Sequence, residues 1–138
     1  MKKSDQLIVK STGKGKFQHD ILVGDRHMLK ADEPQNMGGD DTGPAPYDFL
    51  NAALGACKAM TIRMYADHKG LPLENVNVSV IHEKREVDGK KVDHFDCEIE
   101  IIGDELTQEQ KDRMVEIAEK CPVHKTISGE VRISGKAK

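Results

Sequence analysis

The sequence has no tryptophan, and aromatic side chains make up only 4 % of it. Its interior must therefore be built from aliphatic side chains and from its six methionines. It also lacks any apolar run approaching the ~20 residues that cross a bilayer, and Met1-Lys-Lys-Ser-Asp leads into no apolar signal-peptide core. A cytoplasmic protein that does not enter a membrane is expected. Positive charge is not in excess either. The net charge of -3 argues against nucleic-acid binding, which calls for a clustered basic face. Lys2, Lys3, Lys10, Lys14, Lys16, Lys136 and Lys138 crowd the termini and read as a solvated surface. No Gly-x-Ser-x-Gly is present, so a serine hydrolase finds no nucleophile elbow. Gly13-x-Gly15 and Gly38-Gly39 run into no Gly-Lys-Ser/Thr, so no phosphate cradle is expected.

Cysteine is scarce too. The three cysteines, at 57, 97 and 121, are odd in number and widely spaced, which excludes a disulfide framework. In a reducing compartment they are thiols, with room for one redox pair and a spectator.

What the sequence does contain is one long helical segment. It opens at Pro46, whose fixed φ suits a first turn, and stops at Gly70 followed by Pro72. Leu50, Ala53, Leu54, Cys57, Met60, Thr61 and Met64 recur at three- and four-residue steps, forming an apolar stripe with the cysteine near its middle. Ala52, Ala56 and Ala59 make the adjacent face small and apolar, so the helix is expected to be buried on more than one side. Ahead of it, strands at Leu7–Thr12, Phe17–Val23 and Arg26–Ala31 are separated by turns at Gly13–Lys16 and Gly24–Asp25. Asp32–Ala45 is a Gly-, Pro- and Asp-rich loop that delivers the chain to the helix. Its length suits the rim of a site.

Beyond Gly70, Val76, Val78 and Val80 alternate in a strand that runs to Val87, and Asp88-Gly89 is a hairpin turn. The partner strand, Val92–Ile101, puts Phe95, Cys97, Ile99 and Ile101 on one face. Thr107-Gln-Glu-Gln110 has the form of a capping box opening a second helix. Met114, Ile117, Ala118 and Cys121 share one face of that helix. Pro122 is expected to interrupt regular structure, and Glu130–Ile133 to close the chain with a short strand. The order βββ-α-ββ-α-β indicates an α+β fold of antiparallel sheet wrapped around a central helix. Residues 1–138 fit a single domain.

Cys97, between Phe95 and Ile99, reads as a small core hydrophobe. Cys57 lies too far from the helix start for the helix dipole to favour its thiolate. A reactive Cys57 would need a cation, with Arg26 on the third strand, Lys58 and Arg63 as candidates. Cys121, in Lys120-Cys-Pro-Val-His124, meets Cys57 if the two helices pack together. Cys121-x-x-His124 also has the spacing of a metal-ligand pair, which His68, His82, His94 or Cys57 could complete. A tetrahedral site usually shows two such pairs, so no metal and no cofactor are expected. A third option is a protein that binds an apolar ligand with idle cysteines.

Two blocks carry a resemblance. Gly38-Gly-Asp-Asp-Thr-Gly-Pro-Ala-Pro-Tyr-Asp-Phe-Leu-Asn-Ala-Ala-Leu-Gly-Ala-Cys57 with Met60-Thr-Ile-Arg-Met-Tyr-Ala66, and later Glu116-Ile-Ala-Glu-Lys-Cys-Pro-Val-His124, resemble the OsmC/Ohr family. The resemblance implies an intertwined homodimer with two sites at the subunit interface. It implies a thiol peroxidase for organic hydroperoxides, with Cys57 on the peroxidatic position and Cys121 on the resolving one. It also implies a dithiol reductant such as a lipoyl group. The family's well-characterised peroxidases carry a glutamate ahead of the cysteine that clamps an arginine against the thiolate. In this sequence the corresponding stretch reads Pro46-Tyr47-Asp48, and the carry-over assigns those roles to Asp48 and Arg26.

Overall fold

A computed structural model describes residues 6–138; Lys2 and Lys3 lie outside them. The chain groups into two compact units, Met1–Leu50 and Asn51–Lys138, each considered on its own. The first contains strands β1 (Leu7–Ser11), β2 (His19–Val23) and β3 (His27–Ala31), hydrogen-bonded in sequence order as an antiparallel meander. Leu7 faces Val23, and Val23 faces His27. Arg26 is not on the third strand. It falls in the β2–β3 turn, where its N–H donates to the Val23 carbonyl at 3.2 Å.

The loop after β3 is held by one buried acid. Asp32 is 2 % exposed. Its carboxylate accepts the N–H groups of Glu33 at 2.8 Å, Asp40 at 3.3 Å and Thr42 at 3.1 Å, and the Thr42 hydroxyl at 2.8 Å. Four donors on one carboxylate close a ten-residue excursion without a ladder, and they satisfy a charge that burial alone would expel. A 3-10 turn at Gln35–Met37 lies within it.

Helix α1 (Pro46–Lys69) begins within the first unit and continues through the second. Asp48 accepts the Ala45 N–H at 2.9 Å, one of the orphan donors at the helix start. The second unit continues with β4 (Asn75–Val87) and β5 (Lys90–Ile102), an antiparallel hairpin joined at Asp88-Gly89, both with positive φ as a two-residue primed turn requires. Val76, Val78 and Val80 alternate half-buried with exposed neighbours, as do Cys97, Ile99 and Ile101. Helix α2 (Gln108–Ile117) starts on a complete capping box between Thr107 and Gln110.

The core of this unit gathers Ile62, Ala66, Leu73, Leu106, Met114 and Ala118, with Val76, Ile99 and Ile101 against it. Removing Ile62 and Met114 from water contributes roughly 2–3 kcal/mol each.

The face of α1 turned to this core differs from the expected stripe. Leu54, Gly55, Lys58, Ile62 and Ala66 are buried, Cys57 and Thr61 are half-buried, and Met60 and Met64 are 63 % and 64 % exposed. Several sides of α1 are apolar, so periodicity alone could not choose among them. Gly55 settles the choice sterically: a Cβ there would stand 3.3 Å from Val80 Cγ2, so β4 approaches the helix where no side chain intervenes.

The chain end departs from expectation twice. Pro122 does not break structure but opens a further helix, α3 (Pro122–Ser128), sitting at its first position with Cys121 as the cap. Glu130–Ile133 forms no strand. Ile133 is 91 % exposed, and an alternating segment with no neighbouring strand has no ladder to join. The observed order is βββ-α-ββ-α-α, an α+β fold on antiparallel sheet.

Candidate active site

Three local features bring the chemistry-bearing side chains of the second unit together. Cys57 sits halfway along α1, half-buried beside the core face. Cys121 lies just beyond the 3-10 turn Ala118–Lys120 that ends α2, and it is fully buried. It also caps α3, accepting the His124 N–H on Sγ at 3.4 Å. The two thiols are near enough for each to shift the other's ionisation.

That proximity divides them electrostatically. Burial opposes ionisation of Cys57. The Cys121 thiol, the Val123 N–H, the Thr61 hydroxyl and the nearby Lys58 ammonium outweigh it, and Cys57 falls below the ordinary thiol value. Cys121 moves the other way. Burial and the charge of Cys57 raise it, against the amides of His124 and Val123. Cys57 is thus the more acidic of the two thiols and Cys121 the less acidic.

Lys58 supplies the positive charge. It is the one charged residue between Asp48 and Arg63, and it is 5 % exposed. Its Nζ donates to the Ala118 carbonyl at 3.2 Å and to His124 Nδ1 at 2.8 Å. An ammonium only donates, so Nδ1 is the accepting nitrogen and the ring proton is assigned to Nε2. Among the described residues no carboxylate forms an ion pair with Lys58. Arg63, the other candidate in this unit, is occupied elsewhere: it donates to the carbonyls of Leu73 at 2.9 Å and Glu74 at 2.8 Å, anchoring the connection after α1.

Lys58 and His124 also line a cleft of about 420 Å³, to which Leu54, Phe95 and Ile127 give apolar walls and Asp93 and Glu119 charge; neither Cys57 nor Cys121 is among its lining residues. Cys97, its thiol raised chiefly by burial, lines this cleft. The Cys121-x-x-His124 spacing serves the α3 cap and the Lys58 contact. Among the described residues no group of three or more His, Cys, Asp and Glu side chains is gathered closely enough to hold a metal ion.

A family model described as OsmC-like protein matches residues 38–136, which include every residue of this cluster. The chain belongs to the OsmC-like family. Solved structures of that fold superpose along most of it. An OsmC-like protein from Mycoplasma pneumoniae matches with a TM-score of 0.73 at 18 % identity, over 94 % of this chain and 90 % of that one. An organic hydroperoxide resistance protein OsmC from Legionella pneumophila matches at 0.62 and 22 % identity, over 90 % of each chain. The organic hydroperoxide resistance protein OhrB of Bacillus subtilis matches at 0.58 and 22 % identity, over 87 % and 88 %. No curated protein matches the sequence.

Of the four site residues expected in this OsmC-like chain, Cys57 and Cys121 meet in the second unit. Arg26, in its turn, and Asp48, at the start of α1, belong to the first. The Lys58–His124 pair is what the sequence reading left unassembled. A lone charge inside an apolar helical run was the available signal.

Proposed function

We propose that this OsmC-like protein is a thiol-dependent peroxidase for organic hydroperoxides, with Cys57 peroxidatic and Cys121 resolving. The proximity by which Cys57 and Cys121 shift one another, one lowered and its partner raised, supports the reading. The Cys57 thiolate attacks the terminal peroxide oxygen, an alcohol leaves, and Cys57 becomes a sulfenic acid. Cys121 condenses with it, releasing water and forming a disulfide that an external dithiol reopens by exchange. The apolar wall that Leu54, Phe95, Ile99, Val115 and Ile127 give the cleft next to Lys58 favours an organic peroxide over hydrogen peroxide. The names of the Legionella and Bacillus structures point the same way.

The working protein in this proposal is a cytoplasmic homodimer whose partner covers the exposed Met60–Met64 side of α1. Arg26 and Asp48 enter through the resemblance alone, as a second cation and its acid. Arg26→Ala should then slow turnover, and an unchanged rate would remove Arg26 from the site.

The deciding test is consumption of cumene hydroperoxide driven by a dithiol, in wild-type and Cys57→Ser protein. Loss of turnover in the variant is expected; equal turnover would eliminate the mechanism. The cleft favours a second reading, an apolar-ligand carrier with idle thiols. It predicts ligand retention on native mass spectrometry and no peroxide consumption.

A further inference from the structure

Lys58 and His124 join the thiol pair to the cleft. Lys58 acts electrostatically on Cys57 and lines the cavity. A buried ammonium without a carboxylate partner is costly unless its charge is used. The two acceptors it has, the Ala118 carbonyl and His124 Nδ1, are neutral and occupy two of its three N–H groups. One N–H is left to donate. His124 is in turn fixed by α3, whose cap is Cys121. A single short helix therefore positions the resolving sulfur and the ammonium together.

We propose that Lys58 is the general acid of peroxide cleavage, held in place by His124 as a positioning residue. The inference rests on the peroxidase reading and deepens it. The Cys57 sulfur gives an electron pair to the terminal peroxide oxygen, the S–O bond forms, and the O–O bond breaks. Sulfur is oxidised to the sulfenic acid, the peroxide is reduced, and the departing alkoxide takes a proton from the Lys58 ammonium. Condensation of the Cys121 thiol with the sulfenic acid releases water. The dithiol then returns both cysteines as thiols, and the neutral Lys58 amine takes the proton of Cys57, restoring ammonium and thiolate. Over one cycle a hydroperoxide and a dithiol become an alcohol, water and a disulfide.

A proton donor matters only when the leaving group needs the proton. Cumene hydroperoxide expels an alkoxide, whereas peracetic acid expels a carboxylate that leaves unaided. The ratio of kcat/KM for these two peroxides in one protein sample separates general acid catalysis from thiolate formation and from folding. Both of the latter scale the two rates alike. Lys58→Met is expected to lose about 100-fold more on cumene hydroperoxide than on peracetic acid, and Lys58→Arg to recover part of that difference. His124→Leu moves the ratio in the same direction by a smaller factor, and serves where Lys58→Met does not fold. His124→Asn, whose Oδ1 can replace Nδ1, restores it. Wild-type turnover with equal losses on both peroxides in Lys58→Met overturns the inference alone. Wild-type protein that consumes neither peroxide overturns the peroxidase reading and this inference with it.

Discussion

His124 Nδ1 lies 2.8 Å from Lys58 Nζ, although the two residues are 66 positions apart in the chain. The same histidine's backbone N–H donates to Cys121 Sγ. Through this one residue the cation beside the first thiol and the cap holding the second are mechanically linked. Thiol chemistry at Cys57 and the integrity of α3 should therefore respond to the same substitutions.

Cys57 is lowered from the ordinary value of 9.0 despite its burial, and Cys121 is raised from it. In a Cys97→Ser background, iodoacetamide should label Cys57 with a half-maximum below pH 9.0 and ahead of Cys121. Cys121→Ala removes a donor to the thiolate and should move the Cys57 midpoint upward. A midpoint at or above the ordinary thiol value in the parent protein would contradict the assigned electrostatics.

Asp32 gives a pH signature in the first unit. Burial works against its charge, but the Thr42 hydroxyl and the amides of Thr42, Glu33 and Asp40 hold its carboxyl below the ordinary aspartate value of 3.8. A group lowered in the folded state contributes stability above its unfolded value and loses it as pH falls through the folded one. The melting-temperature gap between wild type and Asp32→Asn should thus be widest near neutrality and close below pH 3.8. A gap that stays constant through that range would assign the effect to packing instead.

At the α1–β4 contact, a methyl group added at Gly55 would lie only 3.3 Å from Val80 Cγ2. Gly55→Ala sets a helix-propensity gain of about 1 kcal/mol against that tight approach and should change stability little. Gly55→Val has no such offset and should destabilise by roughly 1–3 kcal/mol in urea unfolding. Equal midpoints for the two variants would mean that β4 is free to retreat.

Met114 is fully buried at the centre of the second unit's core. Met114→Ala should cost about 2–5 kcal/mol by the same measurement. A cost under about 1 kcal/mol, the size of an ordinary surface substitution, would show that this core is loosely packed.

Much of this architecture was legible because its signals are local. Pro46 opening α1, the Thr107–Gln110 box and the Asp88-Gly89 turn each act within a few residues of themselves. The alternation of Val76, Val78 and Val80 is equally self-contained. Failures came where the answer depends on a distant neighbour. Val131 and Ile133 alternate like a strand, but a strand exists only where another lies beside it. Pro122 reads as a breaker until Cys121 is seen to cap the helix that Pro122 begins. The apolar faces of α1 could not be ranked until β4 was placed against Gly55. At the candidate site, Cys57, Cys121 and Lys58 each stood out as single residues. The tie of Lys58 to His124 was invisible, because nothing in either segment encodes the other.

Pairing of Cys57 with Cys121 is read directly by peptide mapping of protein treated, with no reductant present, with one equivalent of cumene hydroperoxide. A single new cross-linked pair joining the Cys57 and Cys121 peptides is expected, with Cys97 still a free thiol. Recovery of Cys57 unmodified, or joined to Cys97 instead, would contradict that pairing.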